Sequence, residues 1–427
     1  MIKNWSGHLK WQPEHLVYPQ SHEELAQWVQ LAVQQNRKVR VIGSGHSFTP
    51  LAVCTDILIV LDKLSGIVSV NQATRQVTVK AGTKLHELNR LLNTHGLALE
   101  NLGDIDVQSV AGAICTGTHG TGIQFGNLST QVSQITFING KGETVTCSET
   151  EEVELFKAVQ VSLGAFGIIT EVTFKCVSSY TLNLQVGKKP LEEVLQQLHH
   201  YNTRNRNFEF YWFPHTSWVV TKELNLTDQP PVKKAVKDFF QETVLENYAF
   251  KAVCELAHRI PRLTRRISRF SAATIGAYQK TRKSFEVFST RRLVKFNEME
   301  YNVPAAAYTD VKKEIVQWVN RNNRDVMFPM ENRFVQEDDI YLSPAYRRPS
   351  AYIAVHVYNK AGFEQYFRGI EAIFRAYNGR PHWGKMHTLQ QKELEQLYPM
   401  WHVFDAFRRQ HDPGNIFLTP YLQTLFT

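Results

Sequence analysis

Residues 41–48 read Val41-Ile42-Gly43-Ser44-Gly45-His46-Ser47-Phe48, an apolar strand end that breaks into glycines and hydroxyl side chains. Glycine admits positive φ and leaves its N–H uncovered, so a Gly-x-Gly turn after a strand can form an anion-binding nest. A second run of this kind follows at 112–122: Gly112-Ala113-Ile114-Cys115-Thr116-Gly117-Thr118-His119-Gly120-Thr121-Gly122, where hydroxyls add further donors. A Rossmann turn fits poorly, because it needs a third glycine and a helix directly after it. Here Phe48-Thr49-Pro50 intervenes, the next regular element reads as a strand, and no Walker lysine is present. Tight turns without a ligand would give the same composition, so the two loops decide only together with their surroundings.

Outward from the first loop, Ser21 with Glu24 fits a capping box, and Leu25, Val29 and Ala32 follow at helical spacing. Strands are expected at 38–42 and 57–61, and a hairpin over 67–79 turning at 72–75. A helix at 84–92 precedes the small-residue stretch 103–122. Strands at 135–138 and 144–147 flank Asn139-Gly140, a strong hairpin signal. A helix through Leu155 and Val159 leads to Leu163-Gly164-Ala165-Phe166-Gly167-Ile168-Ile169 and a strand at 172–176. Longer strands are expected beyond it, at 208–213, 218–222, 328–335 and 351–358. A boundary near Val177 divides the two halves.

The 427 residues exceed one small core. With 43% hydrophobic and 11% aromatic residues the chain reads as folded throughout. No apolar run approaches the roughly 20 residues that cross a bilayer. The opening residues lack a secretory pattern, so a cytoplasmic home is expected. Five scattered cysteines, none in C-x-x-C spacing, argue against a disulfide framework or a zinc site. The net charge of +8 is local: 259–295 holds eleven Lys or Arg against Glu286, or +10, and the remainder sums to −2.

The run 41–48 resembles the first FAD-binding loop of the vanillyl-alcohol-oxidase-type flavoproteins, in many of which a histidine at this position is joined to the flavin. The segment from Gly103-Asp104-Ile105 to Gly122 is similar to their pyrophosphate-binding segment, and 163–170 to a third flavin-facing one. The later stretches Phe210-Tyr211-Trp212-Phe213-Pro214, Glu331-Asn332-Arg333, Asp338-Asp339, Leu342-Ser343-Pro344, Arg380-Pro381-His382-Trp383-Gly384-Lys385 and Asp412-Pro413 resemble the sugar-1,4-lactone oxidase and alditol oxidase branch. The resemblance implies an α+β, two-domain flavoprotein. Its FAD-binding domain would cover 1–176. A substrate (cap) domain on an antiparallel sheet would cover 177–427, with about 380–427 packing back toward the flavin.

It further implies FAD held by Gly43, Ser44, Gly45, His46, Ser47, Gly103, Asp104, Ser109, Gly112, Ala113, Thr116, Thr118, His119, Gly120, Gly167 and Ile169, with covalent attachment through His46 and none through His119. Glu331 and Arg333, two apart in a strand, share one face and could orient a hydroxyl and steady developing negative charge. A surface ion pair has the same spacing; in the resembling family such a pair faces flavin and substrate. Tyr352, His356 and Tyr358 share a strand face suited to a polyol, which an exposed sheet face would also be. The resemblance places Lys385, with Trp383 beside it, near the flavin and the substrate, Trp383 as a substrate contact. His382 and His387 lack further metal ligands, so no metal is expected.

The expected reaction is hydride removal from the carbinol of a sugar-1,4-lactone, with oxygen as acceptor. An alditol oxidase, and a dehydrogenase passing electrons to a quinone or cytochrome, remain open alternatives. For 259–295, Arg259, Arg262, Arg265, Arg266 and Arg269 lie among Ile260, Leu263, Ile267 and Phe270. That pattern fits an amphipathic helix on anionic lipid, or equally a solvated insertion or cover over the substrate mouth. No nucleic-acid-binding motif appears.

Overall fold

The computed structural model describes residues 1–232, 250–274, 276–290, 292–322 and 326–427. Helix α1 (His22–Gln34) starts where expected. Ser21 Oγ accepts the Glu24 N–H at 3.2 Å, and the Glu24 carboxylate accepts the Gln20 N–H at 2.8 Å. Its buried Leu25, Val29 and Ala32 share a core with three parallel strands, β1 (His15–Val17), β2 (Val39–Ile42) and β3 (Ile57–Val60), in order β1-β3-β2. The all-apolar β3 is central and wholly buried, as an Ile-Leu-Ile-Val run requires.

Five antiparallel strands follow, β4 (Ile67–Asn71), β5 (Gln76–Lys80), β6 (Val132–Asn139), β7 (Thr144–Ser148) and β8 (Gly167–Lys175), in order β7-β6-β8-β5-β4. The β6–β7 turn is held by Asn139 Oδ1, which accepts the Lys141 and Glu143 N–H groups. Gly140 is required for a second reason: a Cβ there would lie 2.5 Å from Asp412 Oδ1. The stretch 103–122 contains helix α2 (Val110–Cys115), capped by Ser109.

The large sheet has eight strands, all antiparallel: β9 (Thr181–Pro190), β10 (Asn207–Trp212), β11 (Trp218–Leu226), β12 (Tyr278–Lys283), β13 (Phe296–Pro304), β14 (Met330–Val335), β15 (Ser350–Tyr358) and β16 (Arg380–Pro381). Their order is β12-β9-β11-β10-β14-β15-β13-β16. One face packs on helices: Asn332 accepts from Tyr308 at 2.8 Å, and Tyr301 donates to Glu371 at 2.5 Å. The other face carries Glu209, Tyr211, Glu298, Glu300, Glu331, Arg333 and His356.

Four of these strands, β9, β12, β13 and the two-residue β16, escape the sequence reading. Strand β12, Tyr-Gln-Lys-Thr-Arg-Lys, is an edge strand whose charges disguise it. Strand β13 is buried on both faces yet carries Asn297, Glu298, Glu300 and Asn302, so its polarity reads as surface. Within the basic region, Pro261 opens a 3-10 turn (Pro261–Leu263) between helices Phe250–Arg259 and Thr264–Thr274. Ile275 and Arg291 of that region lie outside the described residues.

The C-terminus returns to the first strands. Val39 N–H donates to Ile416 O at 2.9 Å and Gly140 N–H to His411 O at 2.8 Å. The buried Arg40 guanidinium donates to the carbonyls of Leu163, Gly164 and Phe417. Asp412 accepts the N–H groups of Ile416 and Phe417, which fixes that turn. All five cysteines are buried and free. No helix among the described residues is long and apolar enough to cross a membrane.

Candidate active site

The two glycine loops meet. A Cβ at Gly43 would stand 2.3 Å from Ser109 Oγ, so the close approach excludes any larger residue unless the cap moves. Between the loops runs a cleft of about 1410 Å³, counting the part open to solvent. Gly43, Ser44, Gly45, His46 and Ser47 line it from the first loop, Gly103, Asp104, Ser109, Gly112, Thr116, Thr118 and His119 from the second, and Gly167 and Ile169 from β8. Two buried polar atoms on its wall, Arg40 Nε and Gln108 Oε1, have no hydrogen-bond partner among the described residues. A long, donor-rich, glycine-walled cleft with unmatched polar atoms fits a dinucleotide.

Two of the expected residues, Ala113 and Gly120, do not line the cleft. Ala113 sits on the inner side of α2, fully buried, and does not line the cleft. Gly120 is needed for packing instead, since a Cβ there would lie 2.1 Å from Leu102 O. His119 reaches the cleft but faces protein: its Nε2 lies 3.2 Å from Glu300 Oε1 and its ring stacks on Tyr352 at 3.6 Å. His382 completes this group, with possible ligand atoms of the three residues within 4.8 Å of one another. His387 stands apart, its Nε2 3.1 Å from the Tyr421 hydroxyl.

A second cavity of about 880 Å³ adjoins the cleft. His46, Asp104, Ile105, Arg333 and Lys385 line both, and so mark the junction where a cofactor's reactive end would meet a substrate. Cross-strand register builds the chemistry there, pairing Glu209 with Arg333 and Tyr211 with Glu331 across β10 and β14. Arg333 Nη2 donates to Glu331 Oε1 at 2.5 Å and lies 3.4 Å from Asp104 Oδ1, while its Nε donates to Glu209 Oε2 at 3.0 Å. Tyr211 also donates to Glu331 Oε1. Lys222 Nζ donates to Glu209 at 2.8 Å and to the Tyr211 hydroxyl at 3.2 Å. Among the described residues both donors to Glu331 use Oε1, which leaves Oε2 for an incoming hydroxyl.

The protonation states follow from this packing. Burial pushes Glu331 above the usual carboxylate range despite Arg333. Burial would raise Glu209 too, but Lys222 and Arg333 bring it down to about 2. Lys385 Nζ meets Glu298 Oε2 at 2.5 Å. Burial opposes its charge, yet Glu298 and Glu300 hold its pKa above the usual lysine value. His46 is driven down to about 4, first by burial and then by Lys385, so its imidazole is neutral at pH 7. Around the second cavity four carboxylates (Asp104, Glu209, Glu298, Glu331) thus meet four cations (Lys222, Arg292, Arg333, Lys385), and the site suits an uncharged ligand.

His356 lines this cavity, its Nε2 3.4 Å from Glu298 Oε1. Trp383 does not line it: the side chain is fully buried, donates to Leu342 O at 2.6 Å and stacks on Tyr398, where it packs in the core. The aromatic under the Lys385 ammonium is Phe48, at 5.3 Å. Glu209, Glu298, Glu300 and Arg292 were not singled out from sequence. A signal existed for the first three, because Glu298/Glu300 and Glu209/Tyr211 show the same two-residue spacing as Glu331/Arg333.

Residues 172–425 match the D-arabinono-1,4-lactone oxidase family, and residues 13–148 a FAD-binding domain family. The chain is 37% identical over 419 residues to an L-gulono-1,4-lactone dehydrogenase of Mycobacterium tuberculosis, covering 98% of this chain and 97% of that protein. To an L-gulonolactone oxidase of Scyliorhinus torazame it is 34% identical over 432 residues, covering 100% and 98%. A variant of cholesterol oxidase from Brevibacterium sterolicum superposes with TM-score 0.85 at 18% identity, over 100% of this chain and 96% of that one, a likeness of fold.

Proposed function

From the premise that this chain belongs to the D-arabinono-1,4-lactone oxidase family, as an FAD-dependent oxidoreductase acting on CH–OH groups, we propose that it oxidises a neutral sugar-1,4-lactone of the L-gulono or D-arabinono type. The observation that carries this reading is the buried Glu331–Arg333 pair at the junction of cofactor cleft and substrate cavity. Bound FAD supplies the hydride acceptor, with oxygen as the proposed final oxidant.

The carbinol C–H leaves as hydride, the hydroxyl proton goes to Glu331 Oε2, and a C=O forms at the oxidised carbon. A carboxylate whose pKa is raised by burial is a better proton acceptor than a free one. Arg333 and Tyr211 pin the other oxygen and fix the direction of approach. The Lys385 ammonium, kept charged by Glu298, stabilises the negative charge developing at the reacting oxygen. Gly43, Gly45, Ser109, Thr116 and Thr118 would hold the cofactor's pyrophosphate region, and the neutral His46 ring would be the side chain that carries the covalent link to the flavin ring.

Anaerobic mixing with L-gulono-1,4-lactone, D-arabinono-1,4-lactone or xylitol tests the substrate class. Loss of the visible flavin absorbance with a lactone is expected, and loss with xylitol alone would replace this reading by an alditol oxidase. Peroxide release in aerated buffer is expected of an oxidase; reduction of a quinone analogue without peroxide would make it a dehydrogenase.

A further inference from the structure

The second cavity contains a guanidinium that the reaction just described does not use. Arg292 comes from the end of the basic region, outside every motif that carries the family resemblance. Its Nη2 sits 2.5 Å from Asp104 Oδ2, and two residues earlier the Thr290 N–H donates to Asp104 O at 2.9 Å. Thr290 through its backbone and Arg292 through its side chain are thus both tied to Asp104 in the cofactor loop. Asp104 in turn bridges Arg292 to Arg333. Burial would raise the Asp104 carboxyl, but these two arginines hold it well below the usual range, so the clamp stays ionised.

The two arginines are placed for different work. Arg333 spends its donors on Glu209, Glu331 and Asp104 and keeps only 6% of its side-chain surface. Arg292 meets one carboxylate among the described residues, keeps 36%, and lines the cavity together with Glu331 and Lys385. A sugar lactone differs from an open-chain polyol, and from the corresponding cyclic ether, in its ring carbonyl. That oxygen is an acceptor without a proton, which Glu331 cannot bind and a planar, fixed guanidinium can.

We infer that Arg292, anchored by Asp104, donates to the carbonyl oxygen of the bound lactone and so separates lactones from carbonyl-free polyols. This rests on the lactone reading above. The basic region then contributes a specificity residue as well as surface.

The test uses the full-length flavoenzyme and two ligands of equal ring size, a 1,4-lactone and its carbonyl-free 1,4-anhydroalditol, with binding followed by flavin absorbance. A charged hydrogen bond corresponds to about 10- to 100-fold in affinity. Arg292→Ala is expected to weaken the lactone by that factor and leave the cyclic ether unchanged, bringing the ratio of the two close to unity. Arg292→Lys should retain part of the preference. An unchanged ratio in Arg292→Ala would overturn the inference, as would equal weakening of both ligands with a lowered melting temperature, the mark of a purely structural clamp. If the unmodified enzyme is reduced by no lactone, the functional reading itself fails and takes the inference with it.

Discussion

Replacing Arg333 by alanine removes a cation that meets three carboxylates, the buried Glu209 and Glu331 and the half-buried Asp104. Two consequences follow, with different magnitudes. Losing a preorganised donor from the reacting site lowers rates by about 10²–10³-fold, so the anaerobic rate of flavin reduction should fall by that factor with FAD retained. Breaking a buried ion pair costs about 3–5 kcal/mol, and the variant should melt well below the parent. The pH dependence supplies an independent readout. Glu331 accepts the hydroxyl proton as carboxylate, so reduction should accelerate as pH rises through its raised pKa. Without Arg333 that pKa rises further, because Asp104 and Glu209 both oppose ionisation, and the limb should move to higher pH. The sign for stability is fixed as well: a carboxyl raised by folding contributes stability below its unfolded pKa, and loses it as pH climbs through the folded one. Stopped-flow reduction across pH measures both. An unchanged limiting rate together with an unmoved limb would refute the role given to Arg333.

Acid-precipitated protein should stay yellow, and His46→Ala should surrender its flavin to the supernatant; complete release from the unmodified chain would remove the covalent link. Glu298→Gln should lower the pKa of Lys385 and move the alkaline limb of reduction to lower pH, whereas a shift upward would contradict the ion pair at 2.5 Å. Glu298 itself is brought down to about 2 by Lys385 and His356 against the effect of burial. Its contribution to stability is therefore present above the unfolded carboxyl pKa and fades as pH falls toward 2. Exposed Arg259, Arg262, Arg266 and Arg269, beside Ile260 and Phe270, should carry the protein up with vesicles containing anionic lipid in a flotation assay. Recovery at the bottom of the gradient would leave those residues a solvated surface.

Local rules reach as far as local structure does. The Ser21 cap, the Asn139-Gly140 hairpin and the one-face display of Glu331 with Arg333 each depend on neighbours in sequence, and each was legible there. The two glycine runs also announced themselves, although Ala113 and Gly120 show that membership of a run does not decide which way a residue faces. What stayed hidden depends on pairing between distant strands. Glu209 and Tyr211 matter because β10 lies beside β14 in one particular register. Glu298 and Glu300 lie on a strand whose buried acids contradict the rule that charge marks surface; Lys385 meets Glu298 and His119 meets Glu300, and these partners make that burial tolerable. Trp383 differs in the opposite sense: a large aromatic two residues from Lys385 packs in the core.

The Arg40 side chain ties the cofactor cleft to a distant part of the sequence. Two of its partners, the carbonyls of Leu163 and Gly164, lie just before β8, but Phe417 is separated from it by 377 residues. Asp412 draws residues 416 and 417 into place, and Arg40 and Phe417 both line the cleft behind the first glycine loop. A disturbance of the Asp412 turn is therefore felt in the wall of the cleft, although neither glycine loop lies near it in sequence.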